Sequence, residues 1–325
     1  MVGTLAALAT TRRDGSTNRI IVGRCPRASL SFPSIMPLIG SSRPSITSRS
    51  SPWCGSDKTI IATEPCANSP CYKSLVRTLR SDLLTRHGFQ HVFSTREGGV
   101  SAPPYDSLNL GFHLGDDDDA VRYNRRRFAK SLGVPLDRLF EQRQVHGSSV
   151  REISATDEAL AIADAEGDAL VVRVPGFAVA ARTADCVPVL LAHPGSGHVA
   201  AVHAGWRGAV AGVVLEAIAT LEHDPAEIVA AIGPHIRVGA FEIGEEVVRE
   251  LERAAGGRPV VDRSDKRPHG DLSKLVELQL GDAGLPPEAI DDVGSCTHSE
   301  TAHFFSHRRD LGNTGRHLSA IVARC

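Results

Sequence analysis

The sequence predicts an α+β fold, a mixed α/β sandwich in which mixed β-sheets are flanked by helices within a single domain. Three observations carry that reading. Short apolar runs rich in β-branched residues recur between Gly/Pro/Ser clusters, as strands do. Stretches with apolar residues at helical spacing lie among them, so both element types must share one core. No internal repeat is present, and no apolar run approaches the roughly 18 to 20 residues that would span a bilayer.

The 325 residues are not of one kind. Residues 1–56 contain seven Arg, no Lys and a single acidic residue, Asp14, among eleven Ser, five Thr and five Pro. Such a stretch buries no core. Its Arg-rich, Ser-rich, acid-poor character is that of an organelle transit peptide and lacks the apolar segment of a secretory signal; a disordered extension or a start site placed too far upstream is the plainer reading. Residues 1–77 are therefore set apart as a disordered or targeting extension, and residues 78–325 as the folded domain. Beyond residue 56, 29 Lys and Arg face 37 Asp and Glu, a balance of minus eight that argues against a nucleic-acid partner. Of seven Cys, only Cys186, Cys296 and Cys325 fall in the folded part. Three scattered cysteines make no disulfide framework, and a reducing, cytoplasmic setting with Cys186 free is expected, without membrane attachment and as a monomer or homodimer.

In chain order, a strand at residues 91–95 leads into REGGVSAPPYDSLNLG, a loop long enough to bind something. GDDDD then caps a helix whose Val121, Phe128 and Leu132 form an apolar stripe, the aspartates suiting the helix start better than a calcium ion. QVHGSSV (residues 144–150) reads as a turn, followed by strands at 169–174 and 177–182. A hairpin of residues 187–192 and 198–202 comes next, and then one helix whose face is Val210, Val213, Val214, Ala217, Ile218 and Leu221. IVAAIGPHI is a strand and turn, GEEVVRELERA and SKLVELQLGDAG are helices, and a last strand spans 318–323.

The hairpin begins after Cys186 and ends at His203. A four-residue loop at 193–196 pairs Ala192 with Gly197 and sets Cys186 opposite His203, with Cβ atoms roughly 4.5 to 5.5 Å apart. A thiolate and an imidazole at that range share a metal ion or act as nucleophile and base. His146, beside Gly147, is the best third ligand; two His and one Cys make a zinc site of catalytic type with an open position. A rival cluster holds Cys296, His298, His303 and His307, where Arg308, Arg309 and Arg316 suit a phosphate or carboxylate better than the histidines suit a metal. Copper is disfavoured: no His-x-His pair occurs, and the only methionines, Met1 and Met36, precede the folded part. Neither a dinucleotide or P-loop fingerprint nor a G-x-S-x-G elbow is present.

STREGGVSAPPYDSLNLG, GDDDDAVRYNRRR, QVHGSSV, TADCVPVLL, AVHAGWRG, AIGPHI with FEIGEEV, and SHRRD with TGR together resemble, in order and spacing, the laccase-domain family. That family was long described as multicopper polyphenol oxidase and is better described as purine nucleoside phosphorylase; the resemblance runs from Gly88 to the C-terminus. It implies a zinc ion on His146, Cys186 and His203. It implies phosphorolysis of adenosine, inosine and S-methyl-5'-thioadenosine, with phosphate, to free base and pentose 1-phosphate, and in some members adenosine deamination. By position Arg96 and Asn109 look like pocket residues, Arg96 holding phosphate with Arg308. Asp185 or Glu242 is the expected proton shuttle, and Phe112, Phe241 or Phe305 the ring against the purine. The sequence departs from the family at Gly239 and Ala240, where cysteines often stand. The alternatives are a cysteine or zinc amidase-type hydrolase acting on cell-wall precursors, a copper polyphenol oxidase, and a zinc-stabilised binding module, for which no fourth ligand is found.

Overall fold

The chain was analysed as a computed structural model, which describes residues 75–325. The expected extension therefore lies outside the described residues, except for 75–77. The elements in order are β1 (Thr78–Leu79), α1 (Asp82–Arg86), β2 (His91–Ser94), α2 (Asp118–Leu132), β3 (Leu139–Phe140), β4 (Val150–Ile153), α3 (Ala159–Ala163), β5 (Ala169–Val172), β6 (Ala178–Thr183), β7 (Val187–Ala192), β8 (Val199–Ala204), α4 (Trp206–Val210), α5 (Val213–Leu221), β9 (Val229–Ile232), α6 (Glu245–Ala254), β10 (Val261–Asp262), β11 (His269–Gly270), α7 (Leu272–Ala283), β12 (Ile290–Asp292) and β13 (His317–Val322).

Two sheets carry the fold. One has the order β1-β2-β13-β6-β3, the other β12-β9-β7-β8-β5-β4, and β10 pairs with β11 in a separate ribbon. The six-stranded sheet is antiparallel through its centre, with parallel pairs at both edges. Alternation along the strands sorts side chains into three cores. Leu170, Leu190 and Ala201 from one sheet meet Phe140, Val179 and Ile321 from the other, forming the layer between the sheets. The opposite residues of the six-stranded sheet, such as Val171, Val189 and Val202, pack under α4 to α7. Those of the five-stranded sheet, such as Val92, Ala180 and Leu318, pack against Phe128 and Leu132 of α2. The order is helix, sheet, sheet, helix, so the central strands are buried on both faces and read as continuous apolar runs. Each fully buried Leu or Val contributes about 1.5 to 3 kcal/mol.

Helix ends follow the expected chemistry. The Asp117 side chain caps α2 by accepting from the Asp119 N–H, and Gly133, at φ 84°, closes it. The single helix expected over residues 208–223 is instead two, spanning 206–210 and 213–221, because Gly212 adopts the left-handed conformation at φ 79° between α4 and α5. No helix among the described residues is long and apolar enough to cross a membrane.

Two buried histidines set an acid limit on this fold. Burial, helped by Arg237, holds His235 down to about 4. Burial and the nearby Arg96, Arg316 and Arg309 hold His317 down to about 3, although its ring accepts the Phe305 N–H at 2.8 Å. Unfolded, both titrate near 6.5, so as pH falls the unfolded chain binds protons that the native state refuses. Their contribution is complete above pH 6.5 and is lost progressively as pH falls to about 4 for His235 and about 3 for His317, each at up to about 1.4 kcal/mol per pH unit. Urea melts across this range should show the fall, and His317→Asn should flatten it; an unchanged slope would mean His317 is not the titrating group.

Candidate active site

The site forms where the chain leaves one sheet for the other. Strand β6 lies in the five-stranded sheet and β7 in the six-stranded one, so residues 184–186 make the crossing. Cys186 ends it, following Asp185, whose φ of 100° lies in the left-handed region. His146, at φ 61°, sits in the connection from β3 to β4. His203 is the penultimate residue of β8. Because Val199 and Ala201 face the inter-sheet core, His203 projects between the sheets, as Pro188 and Cys186 do by the same alternation from Leu190.

The hairpin register differs from the expected one. Ala192 pairs with Val199 and Pro188 with His203, so the turn spans 193–198 and Cys186 lies beyond the ladder. The turn is longer because the His193 and Gly197 N–H groups bond to His198 and His193 carbonyls at 2.9 Å. A shift of two residues keeps every side chain on its face, which is why Cys186 and His203 still converge.

The ligand atoms of His146, Cys186 and His203 lie within 4.8 Å of one another, the one such group among the described residues. Cys186 Sγ is 4.0 Å from His146 Nε2, and the two imidazole rings meet edge to face at 4.9 Å. Asp168, just before β5, organises the group. Its carboxylate bonds His203 Nδ1 at 2.8 Å and accepts the backbone N–H groups of His146 at 2.9 Å and Gly147 at 2.7 Å. One buried carboxylate thus holds both a ligand ring and the loop that carries another. Nothing in the sequence singled out Asp168, since its role depends on a loop and a strand far apart in the chain.

Two glycines make room for this convergence. A Cβ on Gly205 would stand 2.8 Å from His146 Cδ2 and 3.3 Å from Cys186 Sγ, and one on Gly208 would meet the Gly147 carbonyl at 2.7 Å. The electrostatics favour a charged pair. Burial opposes the Cys186 thiolate, yet the charge and hydrogen bonding of His203 and His146 bring the thiol down to about 6. Burial opposes the His203 imidazolium, yet Cys186 and Asp168 raise it to about 9. A thiolate beside two imidazoles, with Asp168 fixing one ring through Nδ1, is a donor set that fits a borderline-soft divalent ion and leaves a coordination position open.

Beside the trio opens a cleft of about 430 Å³. Phe112, Leu114, Ile236 and Phe241 give it an apolar side, and Arg182, Arg308 and Arg316 a basic one. Of the residues expected here, Arg308 and Asp185 line the cleft, whereas Arg96 and Asn109 do not. Arg96 is occupied by the Asp106 carboxylate at 3.1 Å and the Thr301 carbonyl, with its guanidinium over Phe305. Asn109 is fully buried and bonds the backbone of Gly111 and of Arg316. Phe305 is core. Both Asp185 oxygens are engaged, Oδ1 by the Thr297 hydroxyl at 2.6 Å and Oδ2 by the Arg308 N–H at 2.7 Å and the Ser306 hydroxyl at 3.0 Å. Glu242 pairs with Arg267. The rival cluster disperses: His303 pairs with Glu97 at 2.6 Å, while His307 faces the cleft.

Comparisons with known proteins bear on this geometry. A family model described as multi-copper polyphenol oxidoreductase laccase matches residues 90–324. Purine nucleoside phosphorylase YfiH of Escherichia coli K12 is 41% identical over 231 residues, covering 70% of this chain and 91% of the relative. The crystal structure of YlmD from Geobacillus stearothermophilus superposes with a TM-score of 0.68 at 35% identity, covering 73% of this chain and 93% of that one. That of a Bacillus licheniformis hypothetical protein, YfiH, gives 0.70 at 29% identity, covering 78% and 98%.

Proposed function

This chain belongs to the multi-copper polyphenol oxidoreductase laccase family, and from that premise we propose that it is a zinc-dependent purine nucleoside phosphorylase with its catalytic domain in residues 78–325. Its substrates are inorganic phosphate and the nucleosides adenosine, inosine and S-methyl-5'-thioadenosine. The observation that carries the reading is the convergence of His146, Cys186 and His203 on a cleft with one apolar and one basic side. Relatives named purine nucleoside phosphorylase at 41% identity support it. An oxidase using several coppers would need several ligand groups, and one is found among the described residues.

Phosphorolysis breaks the bond from C1' to the purine nitrogen and forms a bond from C1' to a phosphate oxygen. Negative charge gathers on the departing base while the sugar becomes oxocarbenium-like, so stabilisation is needed on two sides of C1'. When bound, zinc would supply Lewis acidity. Cys186 as thiolate, with His146 and His203, would hold the ion, and Asp168, bonded to His203 Nδ1, leaves Nε2 as the ring nitrogen that would bind it. Phe112 and Phe241 offer the purine an apolar wall and exclude water from it. Deamination is less well served, because zinc deaminases need a carboxylic acid to shuttle protons, whereas Asp185 and Glu242 both have their carboxylates engaged.

The test is incubation of the purified chain with each nucleoside, with and without phosphate. The expected result is release of adenine from adenosine and from S-methyl-5'-thioadenosine, and of hypoxanthine from inosine, only with phosphate, matched mole for mole by the corresponding pentose 1-phosphate. Base release without phosphate would make the protein a nucleosidase, and no release from a folded, zinc-loaded protein would overturn the reading.

A further inference from the structure

Two arginines of the cleft stand side by side on one sheet face. In the β6–β13 ladder Leu318 pairs with Arg182, so Arg316, two residues earlier and immediately before β13, lies on the same face as the diagonal neighbour of Arg182. Both line the cleft that holds Cys186 and His203. Their charge is poorly matched. Arg316 makes no ion pair among the described residues, and its Nη1 donates only to the carbonyls of Thr314 at 2.9 Å and Gly315 at 3.0 Å. Arg182 finds the Glu141 carboxylate at 3.8 Å, and that buried carboxylate is already in closer contact with Arg125. Arg125 and Arg182 thus share one acid, and Arg316 feels Asp185 and Cys186 of the same cleft without pairing with either. Burial and the neighbouring Arg182 both disfavour the charge on Arg316.

We infer that Arg316 and Arg182 form the oxyanion-binding subsite of the cleft and hold inorganic phosphate beside the trio. The inference rests on the phosphorylase reading and adds to it the residues that hold the second substrate. An oxyanion between two planar guanidinium forks takes several charge-assisted hydrogen bonds. The other arginines fit the role less well: Arg96 is occupied outside the cleft, and Arg308 donates to the Glu242 carbonyl while lying over Phe241. Asn109 then becomes a positioning residue. Its Oδ1 accepts the Arg316 N–H at 2.9 Å, and the next residue, Leu110, donates to the Arg316 carbonyl at 3.1 Å, which fixes where Arg316 enters the cleft.

The experiment compares the full chain with Arg316→Gln, Arg316→Lys and Arg182→Gln. It reads KM for phosphate and for inosine, zinc content, and the melting temperature during titration with inorganic phosphate in the absence of nucleoside. Arg316→Gln and Arg182→Gln should each raise the phosphate KM by about ten- to a hundredfold, leaving the inosine KM within about threefold and zinc content unchanged. Arg316→Lys, keeping charge but losing the fork, should fall between. Phosphate should raise the melting temperature of the parent chain saturably, and Arg316→Gln should abolish that rise. A phosphate KM unchanged in folded variants would overturn the assignment while leaving the phosphorylase reading intact. Equal rises in both KM values would overturn it too, making the pair structural. Were the parent chain to show no phosphate-dependent turnover, the phosphorylase reading would fail, and an Arg316-dependent melting shift would still uphold the oxyanion site.

Discussion

Replacing Cys186 by Ser is expected to strip the metal from the protein and lower inosine phosphorolysis by more than about a hundredfold, beyond what disturbing an outer partner of a metal ligand does. The thiol is the only donor of the trio that supplies a full negative charge, and its neighbours already bring it down to about 6, so the thiolate is prepared before any ion arrives. A serine hydroxyl stays protonated under the same conditions and leaves two imidazoles to hold the ion. The fold should survive. Cys186 lies beyond the β7–β8 ladder and is half-buried, so the metal-free variant should still melt cooperatively, at a temperature lowered by loss of the thiolate beside His203. Metal analysis and turnover on the same sample separate the readings. Loss of both follows from a metal-ligand role; loss of turnover with metal retained would instead make Cys186 a nucleophile with His203 as its base.

The second large effect belongs to a residue that would not touch substrate. Asp168→Asn should weaken metal affinity by about ten- to a hundredfold, with turnover recovering as zinc is raised. The native carboxylate accepts from His203 Nδ1 and from the backbone of residues 145, 146 and 147, and its side chain is fully buried. The amide keeps the shape and one acceptor oxygen. It loses the charge that favours the His203 ring, and one of its edges becomes a donor facing backbone N–H groups. Loss of a buried charge-assisted hydrogen bond costs about 1.5 to 3 kcal/mol, so the melting temperature should also drop. Recovery with added zinc distinguishes a weakened ligand sphere from general misfolding. Normal metal affinity in a folded Asp168→Asn protein would mean that His203 is oriented without it.

The contrast between these two residues explains what could be read from the chain. Cys186 and His203 border apolar runs whose lengths set their positions, and alternation carried them to one face even though the turn is two residues longer than counted. The longer strands and helices were legible because their apolar patterns are long; β1, β3, β10 and β11, at two residues each, have no pattern to read. The break between α4 and α5 was hidden because the apolar stripe continues across Gly212, and only the backbone twist interrupts it. Asp168 is one acid among many in sequence, and its meaning comes from meeting residues 145–147 and 203. Arg96 and Asn109 belong to the loop next to the cleft, but Asp106 of the same loop and the backbone of Arg316 claim them first.

The most direct measurement is a zinc titration of the chelated, metal-free chain, following phosphate-dependent hypoxanthine release from inosine. Turnover absent without metal, rising linearly and breaking at one zinc per chain, is the expected result. Full turnover of the metal-free protein, or none with one zinc bound, would contradict the assignment of His146, Cys186 and His203 as the metal centre of a phosphorylase.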